Sequence, residues 1–320
     1  MPATGPIVVI GSINMDLVCR TARIPKAGET ILGGDFVTVP GGKGANQAVA
    51  AAKLAGADIK VHMIGRVGGD DFGSRLLNGL RQHNVQTQFV TITEGVSSGI
   101  AMILVDKRGE NSIIVAPGAN SKLTPKDVDG AQDLIRSASA VVMQLEIPLT
   151  TVKHAIAMCQ RLGVHTILDP APARALPRAL YGVDVLTPNQ TEAQTLLGLD
   201  ERARIRRKRV PDSKQIAGEL LARGAKSVVL KLGSRGALVV NRDGFLTVKP
   251  FKVKVVDTTA AGDAFTAGLA VGRAENMPLK DAIRFANAAG AVCCQSFGAQ
   301  PSLPSRADVE VLLKPHEGMV

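Results

Sequence analysis

Short runs of β-branched and aliphatic residues alternate with amphipathic helical stretches along most of this chain, and no other feature restricts its fold as strongly. Ile7 to Ile10, Lys60 to Ile64, Ala140 to Gln144, His165 to Asp169, Val183 to Thr187 and Ser227 to Lys231 have the length and composition of buried strands. Between several of them apolar residues take helical spacing, as in Asn46 to Ala55, Leu149 to Leu162 and Lys214 to Arg223. Parallel strands need a crossover, usually a helix, so the pattern predicts parallel βαβ units. The expected fold is α/β: a doubly wound, mostly parallel sheet flanked by helices.

Two stretches break the alternation. Residues 15–39 and 98–117 contain strand patterns without a helix, and in the second Gly99 to Val105 and Ser112 to Ala116 flank the turn Asp106-Lys107-Arg108-Gly109. Antiparallel neighbours of this kind disturb a parallel sheet, so both insertions are expected to form one small β-sheet that covers a site at the strand ends. A lid sheet of this kind leaves an apolar face suited to homodimerisation. No repeat or low-complexity linker interrupts the chain, so residues 1–320 are expected to form a single domain carrying that lid.

Composition excludes several classes of function. Hydrophobic residues make up 45% and charged residues 21%, ordinary for a globular protein. Aromatics are 3%, with no Trp and one Tyr, which argues against binding nucleic acid by stacking bases on exposed rings. The formal charge of +10 points towards nucleic acid until it is located: six cations lie in residues 202–209, and the rest of the chain is only mildly basic. That run reads as a solvated loop, with a partner-binding patch as the alternative. No apolar stretch is long enough to span a membrane, and Met1 to Pro6 lack the basic start of a signal peptide. Cys19, Cys159, Cys293 and Cys294 form no C-x-x-C pair, so reduced thiols in the cytoplasm are expected; a strained vicinal disulfide between Cys293 and Cys294 is the alternative.

Three segments carry the chemistry. In Val256-Asp257-Thr258-Thr259-Ala260-Ala261-Gly262-Asp263 the small residues Ala260, Ala261 and Gly262 let the backbone turn tightly at the start of a helical pattern. Free N–H groups and the helix dipole there favour an anion such as a phosphoryl group. Asp263, in the first turn, can accept a proton from an attacking hydroxyl, or serve merely as a first-turn acid. Pro40-Gly41-Gly42-Lys43-Gly44-Ala45-Asn46-Gln47-Ala48 matches neither a dinucleotide fingerprint nor a Walker loop. Its glycines admit a ligand close to the backbone, and Lys43 and Asn46 donate to hydroxyls; a glycine-rich turn with a solvated lysine is the plain alternative. In Gly11-Ser12-Ile13-Asn14-Met15-Asp16, Asn14 and Asp16 follow the first strand, beyond which ligands of open α/β sheets bind. An amide and a carboxylate can together grip vicinal hydroxyls, although both are also ordinary turn residues.

In combination, these segments with Thr187-Pro188-Asn189-Gln190-Thr191-Glu192 and Leu232-Gly233-Ser234-Arg235-Gly236 resemble the ribokinase family of carbohydrate kinases, in order and along nearly the whole chain. Gly41 to Gln47, Met143-Gln144-Leu145-Glu146, Pro170-Ala171-Pro172-Ala173-Arg174 and Gly298-Ala299-Gln300-Pro301-Ser302 are more similar to its ribose-phosphorylating branch than to its fructose or adenosine branches. The resemblance implies ATP-dependent phosphorylation of D-ribose at its primary hydroxyl, with Asp263 as base and an anion hole at 260–263. It implies that Asn14, Met15, Asp16, Gly42, Lys43, Gly44, Ala45, Asn46, Glu146 and Asp263 surround ribose. Asn189 would reach the ATP phosphates and Glu192 would organise Mg²⁺ through water. Lys231, Leu232, Gly233, Ser234, Arg235 and Gly236, with Gly262, Asp263 and Asn287, would line the nucleotide site. A potassium ion beside the anion hole would take Asp257, Thr259, Cys293, Ser296, Gly298 and Ser302, several through backbone carbonyls. Lys231 departs from the family pattern, which has Thr there, and a cation in that place either meets ATP phosphate or points to solvent.

Three other readings compete. The same chemistry on deoxyribose, a nucleoside or a hexose is the nearest. A non-catalytic binding protein on this fold would lack the base or the nest, yet both are present. A dinucleotide-dependent dehydrogenase would need a glycine fingerprint where this chain has Gly11-Ser12-Ile13-Asn14.

Overall fold

The computed structural model describes residues 5–199 and 212–314. The basic run 202–209 lies outside the described residues. Strands β1 (Ile7–Ile10), β2 (Asn14–Arg20), β3 (Phe36–Gly41), β4 (Val61–Gly68), β5 (Val85–Thr93), β6 (Gly99–Val105) and β7 (Asn111–Ala116) occupy the first part of the chain. They are followed by β8 (Ala140–Met143), β9 (Thr166–Leu168), β10 (Val185–Leu186), β11 (Ser227–Lys231), β12 (Ala237–Asn241) and β13 (Gly244–Val248). Nine of these strands make one sheet in the order β13-β12-β11-β10-β9-β8-β1-β4-β5, parallel from β5 to β11.

Alternating residues of the central strands face opposite cores. Ile7 and Val9 of β1 join one apolar cluster and Val8 and Ile10 the other, and all four are fully buried. A strand buried on both faces reads as a continuous apolar run, which is why IVVI was legible. On the first face lie α1 (Lys43–Leu54), α2 (Asp71–Gln82), α8 (Ala261–Ala274), α9 (Leu279–Cys293) and α10 (Arg306–Leu313). On the second lie α3 (Pro125–Asp129), α4 (Gln132–Ser137), α5 (Leu149–Leu162), α6 (Gln190–Leu196) and α7 (Ser213–Ala222). Helices α8 and α9 approach closely because their contact is small: a Cβ on Gly272 would lie 2.7 Å from Cβ of Ala282.

One edge departs from the expected parallel order. β12 and β13 join β11 as antiparallel strands. An edge tolerates them because no crossover has to follow, and the Asn241-Arg242-Asp243-Gly244 turn closes the hairpin. The two helix-free stretches do form a separate sheet, in the order β3-β2-β6-β7, and β2 pairs with β6 in parallel. Its edge strand β7 is exposed along its whole length, and Phe36, Val37, Met102, Ile113, Ile114 and Val115 leave an apolar surface on this sheet.

From β1 the chain runs outward through β4 to β5, then returns to β8 on the other side of β1. That reversal is a topological switch point, and it opens a crevice beyond the carboxyl ends of β1 and β8. Among the described residues no helix is long and apolar enough to cross a membrane.

Candidate active site

Glu146 stitches the crevice together. Its Oε2 accepts from Ser12 Oγ at 2.6 Å and from the Lys43 backbone N–H at 3.1 Å, joining the ends of β8 and β1 to the start of α1. Gly44 must be glycine for this approach, since a Cβ there would lie 2.6 Å from the Ser12 backbone nitrogen. Asn14 and Asp16, two apart on β2, share one face, while Met15 between them is buried in the core. Asn120 sets the amide of Asn14: its Nδ2 donates to Asn14 Oδ1 at 2.7 Å, and its Oδ1 accepts from the Ile13 N–H. The Asn14 NH₂ group is thereby turned away from Asn120. Burial, with Glu146 and Asp263 nearby and Lys43 opposing them, pushes the carboxyl of Asp16 up to about 7.

Across the crevice, α8 begins at Ala260, which takes left-handed backbone angles (φ 59°) unusual for a residue with a Cβ. The turn aims the first N–H groups of α8 outward as a nest. Asp263 lies in its first turn, buried, with Oδ2 accepting from Asn46 Nδ2 at 3.1 Å and Oδ1 from Gln47 Nε2 at 2.9 Å. Burial pushes it up to about 6; Lys43 pulls against this, Asp169 adds to it, and the two amide donors pull against it. Asn46 Oδ1 is buried and has no partner among the described residues. Such an acceptor costs about 1–3 kcal/mol until a hydroxyl or N–H reaches it.

Several of these supports were not singled out from the sequence. Gln47 Nε2 also donates to Asp169 Oδ2 at 3.0 Å, and its Oε1 accepts from Gln144 Nε2 at 2.6 Å. Gln144 therefore settles which way the Gln47 amide points, and so what Asp263 receives. Ser12 and Asn120 act in the same supporting way. Gln47 and Gln144 stood inside quoted phrases, but nothing local marks one amide as the bridge between two carboxylates far apart in sequence.

A cavity of about 720 Å³ opens beyond Lys43 and Asp263, with Ala260, Ala261 and Gly262 on its wall. Asn189, Glu192, Lys231, Gly233, Ser234, Gly236 and Asn287 also line it, whereas Leu232 and Arg235 do not. Leu232 packs on the core beneath, and the exposed Arg235 guanidinium meets Gln190. Asn189 and Glu192 cap α6 reciprocally: the Glu192 N–H donates to Asn189 Oδ1 at 2.8 Å, and the Asn189 N–H to Glu192 Oε2 at 2.7 Å. Burial holds Glu192 above the ordinary carboxylate range, against the pull of Lys231 and with Asp169. Lys231 itself neither faces solvent nor stands free: its Nζ lies 2.9 Å from Asp169 Oδ1. Asn287 Nδ2 donates to the Lys249 carbonyl at 3.3 Å.

The segments expected to hold a monovalent cation also meet. Asp257 Oδ2 accepts from the Gly298 N–H at 2.9 Å, and Oδ1 from the Thr259 N–H and hydroxyl. These donors outweigh its burial and hold Asp257 below the ordinary range, so an anionic oxygen is available there. The buried Cys293 thiol faces the Thr259 carbonyl at 3.5 Å and Ser302 Oγ at 3.1 Å, and burial pushes it up to about 11. A protonated thiol is no ligand for a hard cation, so Cys293 suits this site only through its carbonyl. All four cysteines are free thiols.

A doubly wound sheet that brings a buried base, an anion nest and a large cavity together at its switch point defines a small-molecule kinase. The chain belongs to the pfkB family of carbohydrate kinases, whose pattern matches residues 5–306. It is 41% identical to ribokinase of Schizosaccharomyces pombe over 311 residues, 95% of this chain and 96% of that protein. It is 37% identical to deoxyribokinase of Salmonella typhi, covering 93% of this chain and 95% of that one. The structure of Arabidopsis thaliana ribokinase complexed with ribose and ATP superposes with a TM-score of 0.85 at 33% identity, covering 97% of this chain and 99% of that one.

Asp16 makes the site costly to fold. Its carboxyl ionises near 3.8 when unperturbed and near 7 here, so the unfolded chain sheds this proton first and stability falls as pH rises through that window. Asp16→Asn removes the penalty. Its melting temperature should exceed the parent's by on the order of 5 °C at pH 8 and match it near pH 3. An unchanged melting temperature at pH 8 would show that Asp16 bears no such burden.

Proposed function

We propose that this protein transfers the terminal phosphoryl group of ATP to the primary hydroxyl of D-ribose, giving ribose 5-phosphate and ADP. The observation that carries this reading is the place of Asp263: buried at the mouth of the nest, between the nucleotide-sized cavity and the polar wall formed by Asn14, Asp16, Lys43, Asn46 and Glu146. The similarity to a ribokinase at 41% identity, and to one solved with ribose and ATP, supports it.

Ribose lies against Asn14, Asp16, Gly42, Lys43, Asn46 and Glu146, where Asn14 donates, Asp16 and Asn46 Oδ1 accept, and Lys43 neutralises the surrounding carboxylates. Asp263 takes the proton of the primary hydroxyl as its oxygen bonds to phosphorus and the bond to the ADP oxygen breaks. The N–H groups of the nest at Ala260, Ala261 and Gly262 receive the charge on the equatorial oxygens. Asn189, the loop from Lys231 to Gly236 and Asn287 hold ATP. Glu192 would help to hold Mg²⁺, which would supply charge neutralisation at the phosphates. Asp257 with Thr259, Cys293, Ser296, Gly298 and Ser302 would hold K⁺, which would stiffen the turn that presents the nest. The apolar face of the lid supports a homodimer formed lid to lid, and four free thiols support a cytoplasmic location.

A second reading, 2-deoxyribose as acceptor, follows from the similarity to a deoxyribokinase. The buried polar groups favour ribose, because an acceptor lacking one hydroxyl leaves a group unpaired at about 1–3 kcal/mol. A coupled assay over a sugar panel should give ribose a kcat/KM roughly 5- to 150-fold above 2-deoxyribose, adenosine and fructose. Asp263→Asn should lower kcat about 10²- to 10⁴-fold with ribose binding retained. A higher kcat/KM for another sugar overturns the substrate, and a loss under tenfold overturns the base. Turnover should rise with K⁺ and stay low in Li⁺ at equal ionic strength; equal rates would remove the cation from the mechanism. Sedimentation should show a species of twice 33.4 kDa that Ile114→Glu dissociates, and a parent chain that sediments as a monomer would exclude the dimer.

A further inference from the structure

Lys231 is the last residue of β11, at the strand end that faces the cavity. Its side chain is 11% exposed and its ammonium meets Asp169, itself 3% exposed, at 2.9 Å. A Cβ built on Gly262 would lie 3.4 Å from that nitrogen, so the ammonium hangs over the nest at the inner end of the cavity. The fold gains little from such a pair, since a buried ion pair is commonly no more stable than apolar residues of the same volume. An ammonium has three donors, and among the described residues Asp169 is its one hydrogen-bond partner.

We propose that Lys231 is a further catalytic residue, whose ammonium, braced by Asp169 over Gly262, grips the terminal phosphoryl group of the donor during transfer. The inference rests on the ATP-dependent reading above. Asp169 gives the arrangement its accuracy. One of its oxygens holds Lys231, and the other accepts from Gln47, the same amide that donates to Asp263. The cation for the donor and the base for the acceptor are thus set from one carboxylate. Placing the reacting partners in this way is where most of the barrier reduction in phosphoryl transfer arises. Among the described residues two other lysines line the cavity: Lys43 stands among the carboxylates of the sugar side, and Lys252 is exposed, so Lys231 is the lysine braced by a carboxylate over Gly262.

The test compares the parent with Lys231→Met and with the double variant Lys231→Met/Asp169→Asn, which removes both buried charges together and keeps the fold if the single variant fails to form it. Titration calorimetry with Mg²⁺ measures affinity for ADP and for the non-hydrolysable β,γ-imido analogue of ATP. Both variants should lose about tenfold or more in affinity for the analogue and under threefold for ADP, the weight of one charge-assisted contact to the terminal phosphate. In the single variant kcat should fall about 10²-fold with the KM for ribose within threefold. Equal losses for ADP and the analogue would overturn the proposal. So would a double variant that regains the parent's preference for the analogue, because Lys231 would then merely neutralise Asp169. A parent that phosphorylates no sugar would sink the kinase reading on its own, and the ratio of nucleotide affinities would still judge Lys231.

Discussion

Asp16, Glu146, Asp169 and Asp263 are buried or half-buried carboxylates close enough to affect one another, and Lys43 stands among them. Desolvation works against its charge, yet the fields of Asp263, Glu146, Asp169 and Glu192 outweigh it and hold the ammonium well above its ordinary range. Much else in the crevice follows from that balance. The glycines at 41, 42 and 44 exist so that the loop bearing Lys43 can press against β1 and β2: a Cβ on Gly41 would lie 2.2 Å from Asp16 Oδ2, and one on Gly42 would lie 2.7 Å from the Asn14 nitrogen. Without the lysine the acids would have to stay protonated or stay apart, and a protonated Asp263 takes no proton from a hydroxyl.

The structure concentrates its local penalties here. Ala260 occupies a backbone region that disfavours a Cβ, Asn46 Oδ1 and Gln144 Oε1 lie buried without partners among the described residues, and acids are kept from water. Elsewhere local preference and tertiary need mostly agree, Ser227 Oγ being the other buried side-chain atom without a partner among the described residues. Asn189, Asp212 and Ser305 cap their helices with reciprocal capping boxes, and β1 is apolar on both faces. Stability is spent where substrates would bind, the usual signature of a functional site.

How far the sequence could be read depended on how local each signal was. The strand IVVI, the lid hairpin and the Ala-Ala-Gly-Asp turn are short-range patterns, and each falls within a few residues of its expected place. Asn14, Asp16, Lys43 and Asp263 were recognisable because motif order along the chain stood in for their meeting in space. Asp169 and Gln144 were not, since their importance arises only when β8, β9, α1 and α8 converge. Lys231 shows the limit most plainly. From sequence it had two outcomes, phosphate or solvent, and its observed partner Asp169 is 62 residues away. The antiparallel edge of β12 and β13 escaped notice because an alternating βα pattern sets no rule for how a sheet ends.

Asn14 and Asp16 are not merely covered by the lid; they lie on β2, one of its strands, joined to β1 by only Gly11, Ser12 and Ile13. The element that carries Asn14 and Asp16, the proposed sugar ligands, and the element that carries the exposed apolar face are therefore one piece of backbone. Thermodynamic linkage then acts in both directions. With a sugar held at Asn14 and Asp16, any contact on Met102, Ile114 or Phe36 whose strength depends on the position of the lid would change sugar affinity by a factor, and the sugar would change that contact by the same factor. Occupancy of the crevice is in this way legible on the far side of the sheet, and the outer face becomes a place from which acceptor binding can be tuned without touching the acceptor.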